Sequence, residues 1–115
     1  MNNSCMNNDR EKFEIDHVAF IVPNIKEAVA WYVKNTSAIV KYFYDDWALL
    51  DVYGNKLALS LPGVHPNHVA LKINNIDEFP EDAIRDSEIK LHRDGSSYIY
   101  LADPYGNALE WVYYP

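Results

Sequence analysis

Ile15-Asp16-His17-Val18-Ala19-Phe20-Ile21-Val22 is the stretch from which the fold is read. It is short, rich in β-branched and aromatic side chains, and stopped by Pro23, which marks a buried strand. Asn24 and Glu27 follow at the spacing of a capping box, and Ile25, Ala28, Val29 and Tyr32 fall on one helical face. A helix of about three turns is therefore expected next. Residues 38–44 and 46–52 read as two strands joined at the turn-prone pair Asp45-Asp46. Tyr53-Gly54-Asn55 reads as a hairpin turn, and residues 56–61 alternate as a fourth strand.

The same unit then recurs. His68-Val69-Ala70-Leu71 echoes His17-Val18-Ala19-Phe20, and Asn75-Ile76-Asp77-Glu78 echoes Asn24-Ile25-Lys26-Glu27, both 51 residues on. Tyr105-Gly106-Asn107 echoes Tyr53-Gly54-Asn55 at a spacing of 52. Three landmarks at nearly one spacing indicate a duplicated unit. Its second helix should be short or start late, because Pro80 falls where a helix interior would be. Strands near 89–92, 97–102 and 108–114 complete it. The expected architecture is α+β: two βαβββ modules, residues 13–63 and 67–115, forming one domain around a cupped mixed sheet. Residues 1–12 read as a mobile polar tail.

Composition narrows the function classes. The 115 residues suit one domain, and the formal net charge of -7 argues against nucleic acid or an anionic membrane as partner. The single cysteine, Cys5, cannot form an internal disulfide or a zinc cluster, and has no basic neighbour but Arg10 to activate it. No run approaches the roughly 20 apolar residues of a membrane span, and the tail has no apolar core, so it does not read as a signal peptide. A soluble cytoplasmic protein is expected.

The last strand holds the chemical clue. Leu109, Trp111 and Tyr113 share one face, and Ala108, Glu110, Val112 and Tyr114 the other. A carboxylate among apolar neighbours is costly to bury unless it is paired or binds a metal. Alternation sends Glu110 to the concave face with Lys56, Ala58, Ser60, Tyr98 and Tyr100, where it need not be buried at all. The repeat makes His17 equivalent to His68, and Glu110 equivalent to Ala58. Two histidines and a carboxylate suit a non-haem Fe(II) or Mn(II) site, or a three-ligand catalytic zinc site. The plainer alternatives are histidines bonded to backbone and a Glu110 paired with Lys56 or Lys72. Tyr98, Tyr100 and His92 are candidate acid/base or orienting groups, or simply an aromatic pocket lining. Residues 95–97 read as a hairpin turn, with a ligand loop as the alternative. His65 reads as a surface-loop residue that could substitute as a ligand. Tyr42, Phe43, Tyr44 and Trp47 read as packing or an interface.

These motifs carry a resemblance. IDHVAFIV at 15–22, HVALKI at 68–73 and DPYGNALEW at 103–111 resemble the vicinal oxygen chelate superfamily of glyoxalases, bleomycin- and fosfomycin-resistance proteins and ring-cleaving dioxygenases. The resemblance covers residues 13–115 and implies paired βαβββ modules and a divalent metal (Fe, Mn, Zn or Ni). By position its ligands would be His17, His68 and Glu110, on the first, fifth and eighth strands. Ala58 stands on the fourth strand, where glyoxalase- and epimerase-like members place a Glu or Gln. The function implied is a metalloenzyme acting on a small molecule with vicinal oxygens, as a lyase, transferase or dioxygenase. The alternatives are a metal-free, bleomycin-resistance-like binding protein and a partner-binding module with a vestigial site. A homodimer is expected, with the modules pairing within one chain or between two.

Overall fold

The computed structural model describes residues 14–115. The tail at 1–12, Cys5 included, lies outside the described residues. The first module contains β1 (Glu14–Ile21), α1 (Ile25–Thr36), β2 (Ile39–Phe43), β3 (Trp47–Val52) and β4 (Asn55–Ser60). The second contains β5 (His68–Ile73), a 3₁₀ turn (Ile76–Glu78), α2 (Glu81–Asp86), β6 (Lys90–Leu91), β7 (Ser97–Ala102) and β8 (Ala108–Tyr113). Among the described residues no helix is long and apolar enough to cross a membrane.

Local chemistry sets these boundaries. The Asn24 side chain caps α1 by accepting from the Glu27 amide at 2.9 Å. In the second module the Glu78 carboxylate instead accepts from the Asn74 and Asn75 amides, at 2.9 and 3.0 Å. Pro80 then takes the N-cap of α2, where its missing N–H costs nothing and its carbonyl accepts from the Ala83 and Ile84 amides at 3.1 Å, so the helix starts late as the sequence requires. The β3–β4 hairpin turns through Tyr53 and Gly54, both at positive φ (53° and 87°), as a two-residue hairpin turn demands. The strand expected at 89–92 is only two residues long, because the chain turns back at once and the His92 amide bonds to the Ser96 carbonyl.

All eight strands join one mixed sheet in the order β2-β3-β4-β1-β5-β8-β7-β6. The order is palindromic: each module contributes four strands, and the two meet where β1 runs antiparallel to β5 within the one chain. Each helix packs on the same side of its half. Ile25, Val29, Ala48, Leu50 and Leu59 are buried under α1, and Ile73, Phe79, Ala83 and Ile99 form the corresponding cluster beneath α2. The other side of the sheet is the concave one.

Two irregularities break the alternation on that side. The β1–β5 register shifts between Ile15 and His17, leaving Asp16 as the extra residue. The β2–β3 register shifts between Val40 and Tyr42, leaving Lys41 as the extra residue. A bulge turns its extra side chain off the regular pleat. As a result Asp16 lines the concavity beside His17, and Lys41 lines it beside Tyr42.

At the seam His17 pairs with Ala70, and His68 pairs with Ala19, the two alanines being 0% and 1% exposed. Across β5–β8, Ala70 in turn pairs with Glu110. Small side chains between the large polar ones leave room for these to converge. Enlarging that spacer should be felt at once: Ala70→Leu is expected to cost about 1–3 kcal/mol through overpacking, read as a lower urea midpoint in chemical denaturation.

Candidate metal centre

Three atoms converge over this seam. Glu110 Oε1 lies 3.0 Å from His68 Nε2 and 3.3 Å from His17 Nε2, and the two imidazole nitrogens are 3.3 Å apart. All three residues are buried, Glu110 completely. The carboxylate is thus on the concave face as alternation requires, but it is not left in solvent there. The other walls of the cup close over it.

The outer nitrogens fix what the inner ones can do. His17 Nδ1–H donates to Asp16 Oδ2 at 2.7 Å, and His68 Nδ1–H donates to the Pro66 carbonyl at 2.6 Å. In a neutral ring whose Nδ1 carries the proton, Nε2 has only a lone pair. With both rings neutral, as metal binding requires, two lone pairs and a carboxylate oxygen therefore face one another. Both nitrogens are near enough to Oε1 for hydrogen bonds, yet Oε1 is buried without a hydrogen-bond partner of acceptable geometry among the described residues. The tautomers reconcile these two facts, because neither Nε2 has a proton to give unless its ring is charged.

A cation resolves the conflict. Metal–ligand distances of about 2.0–2.2 Å with angles of about 90–110° separate neighbouring ligand atoms by roughly 3.0–3.4 Å, which the three spacings match. The donor set of two imidazoles and one carboxylate suits a divalent first-row ion. The residues present therefore fit such a metal.

The remaining positions around Glu110 are filled. His92 Nε2 is 2.5 Å from Oε2, and Tyr98 stacks on the His92 ring at 3.7 Å with the planes 11° apart. The Tyr100 hydroxyl lies 3.0 Å from His65 Nδ1 and 3.5 Å from both nitrogens of His68. His65 is not the surface-loop residue expected from its sequence context. It is half-buried, with its ring edge on Trp47 and close to His92. Asp16 also went unnoticed in the sequence, because strict alternation hides it on the helix side. It accepts from the Tyr114 hydroxyl at 2.7 Å and pairs with Lys56 at 3.4 Å. Lys56 is thereby engaged away from Glu110. Gly95 and Ser96 lie in the turn before β7, which Ser97 opens, and Asp94 Oδ1 accepts from the Ser96 amide and hydroxyl at 2.9 and 2.6 Å.

Charge follows from these contacts. Burial opposes ionisation of Glu110, but the surrounding imidazoles outweigh it and hold the carboxyl far below its usual range. Burial likewise opposes the imidazolium of His17, but the bond to Asp16 and the nearby Glu110 push its pKa up to about 9. Burial, with His92 next, lowers the pKa of His65 and favours its neutral form. Burial and then the Glu110 charge raise Tyr100, so its hydroxyl keeps its proton.

Beside the triad opens a cavity of about 480 Å³, within the usual range for small-molecule sites. Asp16, His17, His65 and His92 line it, together with the apolar and aromatic side chains of Tyr42, Tyr44, Trp47 and Leu49. Arg93, after β6, reaches Asp46, before β3, through two contacts of 2.7 and 2.8 Å, joining the two ends of the curved sheet.

The sequence matches no protein-family model and no curated protein. Solved structures do match. Methylmalonyl-CoA epimerase from Mycobacterium tuberculosis aligns at TM-score 0.71 and 19% identity, over 88% of this chain and 87% of that one. A glyoxalase/bleomycin resistance protein/dioxygenase superfamily member from Vibrio splendidus aligns at TM-score 0.63 and 17% identity, over 90% and 100%. The Mn(II)-bound glyoxalase from Novosphingobium aromaticivorans aligns at TM-score 0.66 and 18% identity, over 87% of this chain and 37% of that longer one. The chain has the vicinal oxygen chelate fold that its motifs imply.

The metal-free protein should show the His17 charge in its stability. A pKa of about 9 in the folded state, against 6.5 ordinarily, gives a contribution that is full below pH 6.5 and lost as pH rises through 9. Urea denaturation in chelator should lose on the order of 2–3 kcal/mol between pH 6 and pH 9.5, and Asp16→Asn should flatten that slope.

Proposed function

We propose that the chain is a metalloenzyme acting on a small substrate, with a divalent metal held by His17 Nε2, His68 Nε2 and Glu110 Oε1. The observation that carries this is the convergence of Glu110 Oε1, buried without a hydrogen bond of acceptable geometry among the described residues, with His17 Nε2 and His68 Nε2 at ligand–ligand spacing; the proton that His17 holds in the metal-free protein would give way to the ion. The Mn(II)-bound glyoxalase among the similar structures supports a divalent ion. A bound metal would supply Lewis-acid stabilisation of negative charge on substrate oxygen.

The protein groups take distinct parts. Asp16 and the Pro66 carbonyl hold each imidazole with its lone pair turned inward. His92 occupies Oε2 of Glu110, so it orients the carboxylate instead of serving as a free acid or base, and Tyr98 packs flat on it. Tyr100 is the proton carrier nearest the triad, kept protonated and within 3.0 Å of His65 Nδ1. A proton given up by Tyr100 Oη can be replaced through His65, which lines the cavity. Ala58 is fully buried and offers no carboxylate, so epimerase chemistry that relies on a base at that position is disfavoured.

A second reading, a metal-free binding protein on the same fold, is favoured by the aromatic wall of the cavity. Metal titration separates the two. Chelator-treated protein should bind about one Mn²⁺ or Zn²⁺, Glu110→Ala should abolish binding, His68→Ala should weaken it so that metal is held only at high metal concentration, and Asp16→Asn should weaken it about 10–100-fold. If the wild type takes up no metal and still binds small molecules after the double change His17→Ala and Glu110→Ala, the second reading is correct.

A further inference from the structure

We propose that the wall of the cavity beside the triad is a subsite for a planar carboxylic acid, with Lys41 and the Tyr42 hydroxyl receiving the carboxylate. Three observations carry it. The first is the bulge in β2. Regular pleating would put Lys41 and Tyr42 on opposite faces of the strand, but the register shift between Val40 and Tyr42 brings both to the cavity.

The second is the state of the charges there. The chain carries a net charge of -7, yet Lys41, Lys56 and Arg93 all line this one cavity. Arg93 is neutralised by Asp46, and Lys56 is paired with Asp16. Asp94 is occupied by Ser96. Lys41 forms no hydrogen bond or ion pair with any described residue. Tyr42 accepts from the Trp47 indole N–H at 3.2 Å, which leaves its own O–H free to donate. One ammonium and one hydroxyl suit a head group of single charge. A phosphate dianion would keep a second charge that one ammonium does not neutralise, and the guanidinium of Arg93 is already engaged by Asp46.

The third is the apolar wall. Tyr42 and Tyr44 pack 5.4 Å apart, and Trp47 stands edge-on to His65 at 5.1 Å. Leu49 and Val64 complete the lining. The Arg93 guanidinium lies 4.5 Å over the Tyr44 ring, yet Tyr42 and Tyr44 remain 37% and 45% exposed, so part of their aromatic surface is left uncovered. A flat conjugated body matches such a wall at little entropic cost. The substrate class is then a planar acid whose carboxylate sits at Lys41 and whose further oxygens reach the triad. The second half of that statement rests on the metal-centre proposal, and the first half does not.

Benzoate is the probe, applied to chelator-treated protein so that no metal competes for its carboxylate. Calorimetric titration should show saturable binding that weakens about tenfold in Lys41→Met and measurably in Tyr42→Phe. Benzyl alcohol, without the charge, and acetate, without the ring, should bind more weakly than benzoate. Both substitutions keep side-chain volume, so the variants should fold, and an unchanged urea denaturation midpoint is the check. Absence of saturable benzoate binding, or equal affinity in wild type and Lys41→Met, overturns the subsite. If the protein takes up no Mn²⁺ yet benzoate binding depends on Lys41, the subsite stands and the metal centre falls.

Discussion

A carboxylate removed from water must be met by positive charge, and Glu110 is removed completely. The architecture around it answers that requirement from three directions. His17 arrives from β1, His68 from β5 and His92 from the turn before β7, while β8 supplies Glu110 itself. Half of the demand is met by protein, since His92 occupies Oε2. The other half is left to His68, whose Nδ1 proton is committed to the Pro66 carbonyl, and to His17, whose charge in the metal-free protein a metal ion would replace. That deliberate shortage at Oε1 separates this cluster from an ordinary buried ion pair, whose groups are satisfied by each other.

The sheet makes the convergence possible through small residues and irregularities. Ala19 and Ala70 flank the seam and keep the backbone rows clear, so side chains two strands apart can meet above them. The duplicated topology sets His17 and His68 about a local two-fold relation, and Glu110 and Ala58 break it. The two bulges both belong to the first module, and each delivers a charged side chain: Asp16 to hold His17, Lys41 to the cavity wall.

Much of this was legible in the sequence. The echo of HVAF by HVAL, and the second turn Tyr-Gly-Asn before Glu110, carried the repeat, the two modules and the three convergent residues. Period-two alternation placed Tyr98 and Tyr100 correctly on the concave face. It failed where the period itself fails. Asp16 and Lys41 occupy bulges, and a bulge leaves no mark in a pattern of alternating polarity. His65 was misjudged for a related reason. A Pro-Gly segment followed by Val-His-Pro reads as a surface linker, but the 62–67 connection passes over the cavity and its histidine packs between Trp47 and Tyr100. The burial of Glu110 escaped notice because alternation tells which face a side chain takes and not what covers that face.

The central claim is that His17, His68 and Glu110 share one divalent ion. X-ray absorption at the metal edge of Zn²⁺-loaded protein tests it most directly. The account predicts a first shell of nitrogen and oxygen at about 2.0–2.1 Å with the outer-shell scattering of two imidazoles, falling to one imidazole in His68→Ala. A shell of oxygen alone, or an imidazole signal unchanged by that substitution, would contradict it.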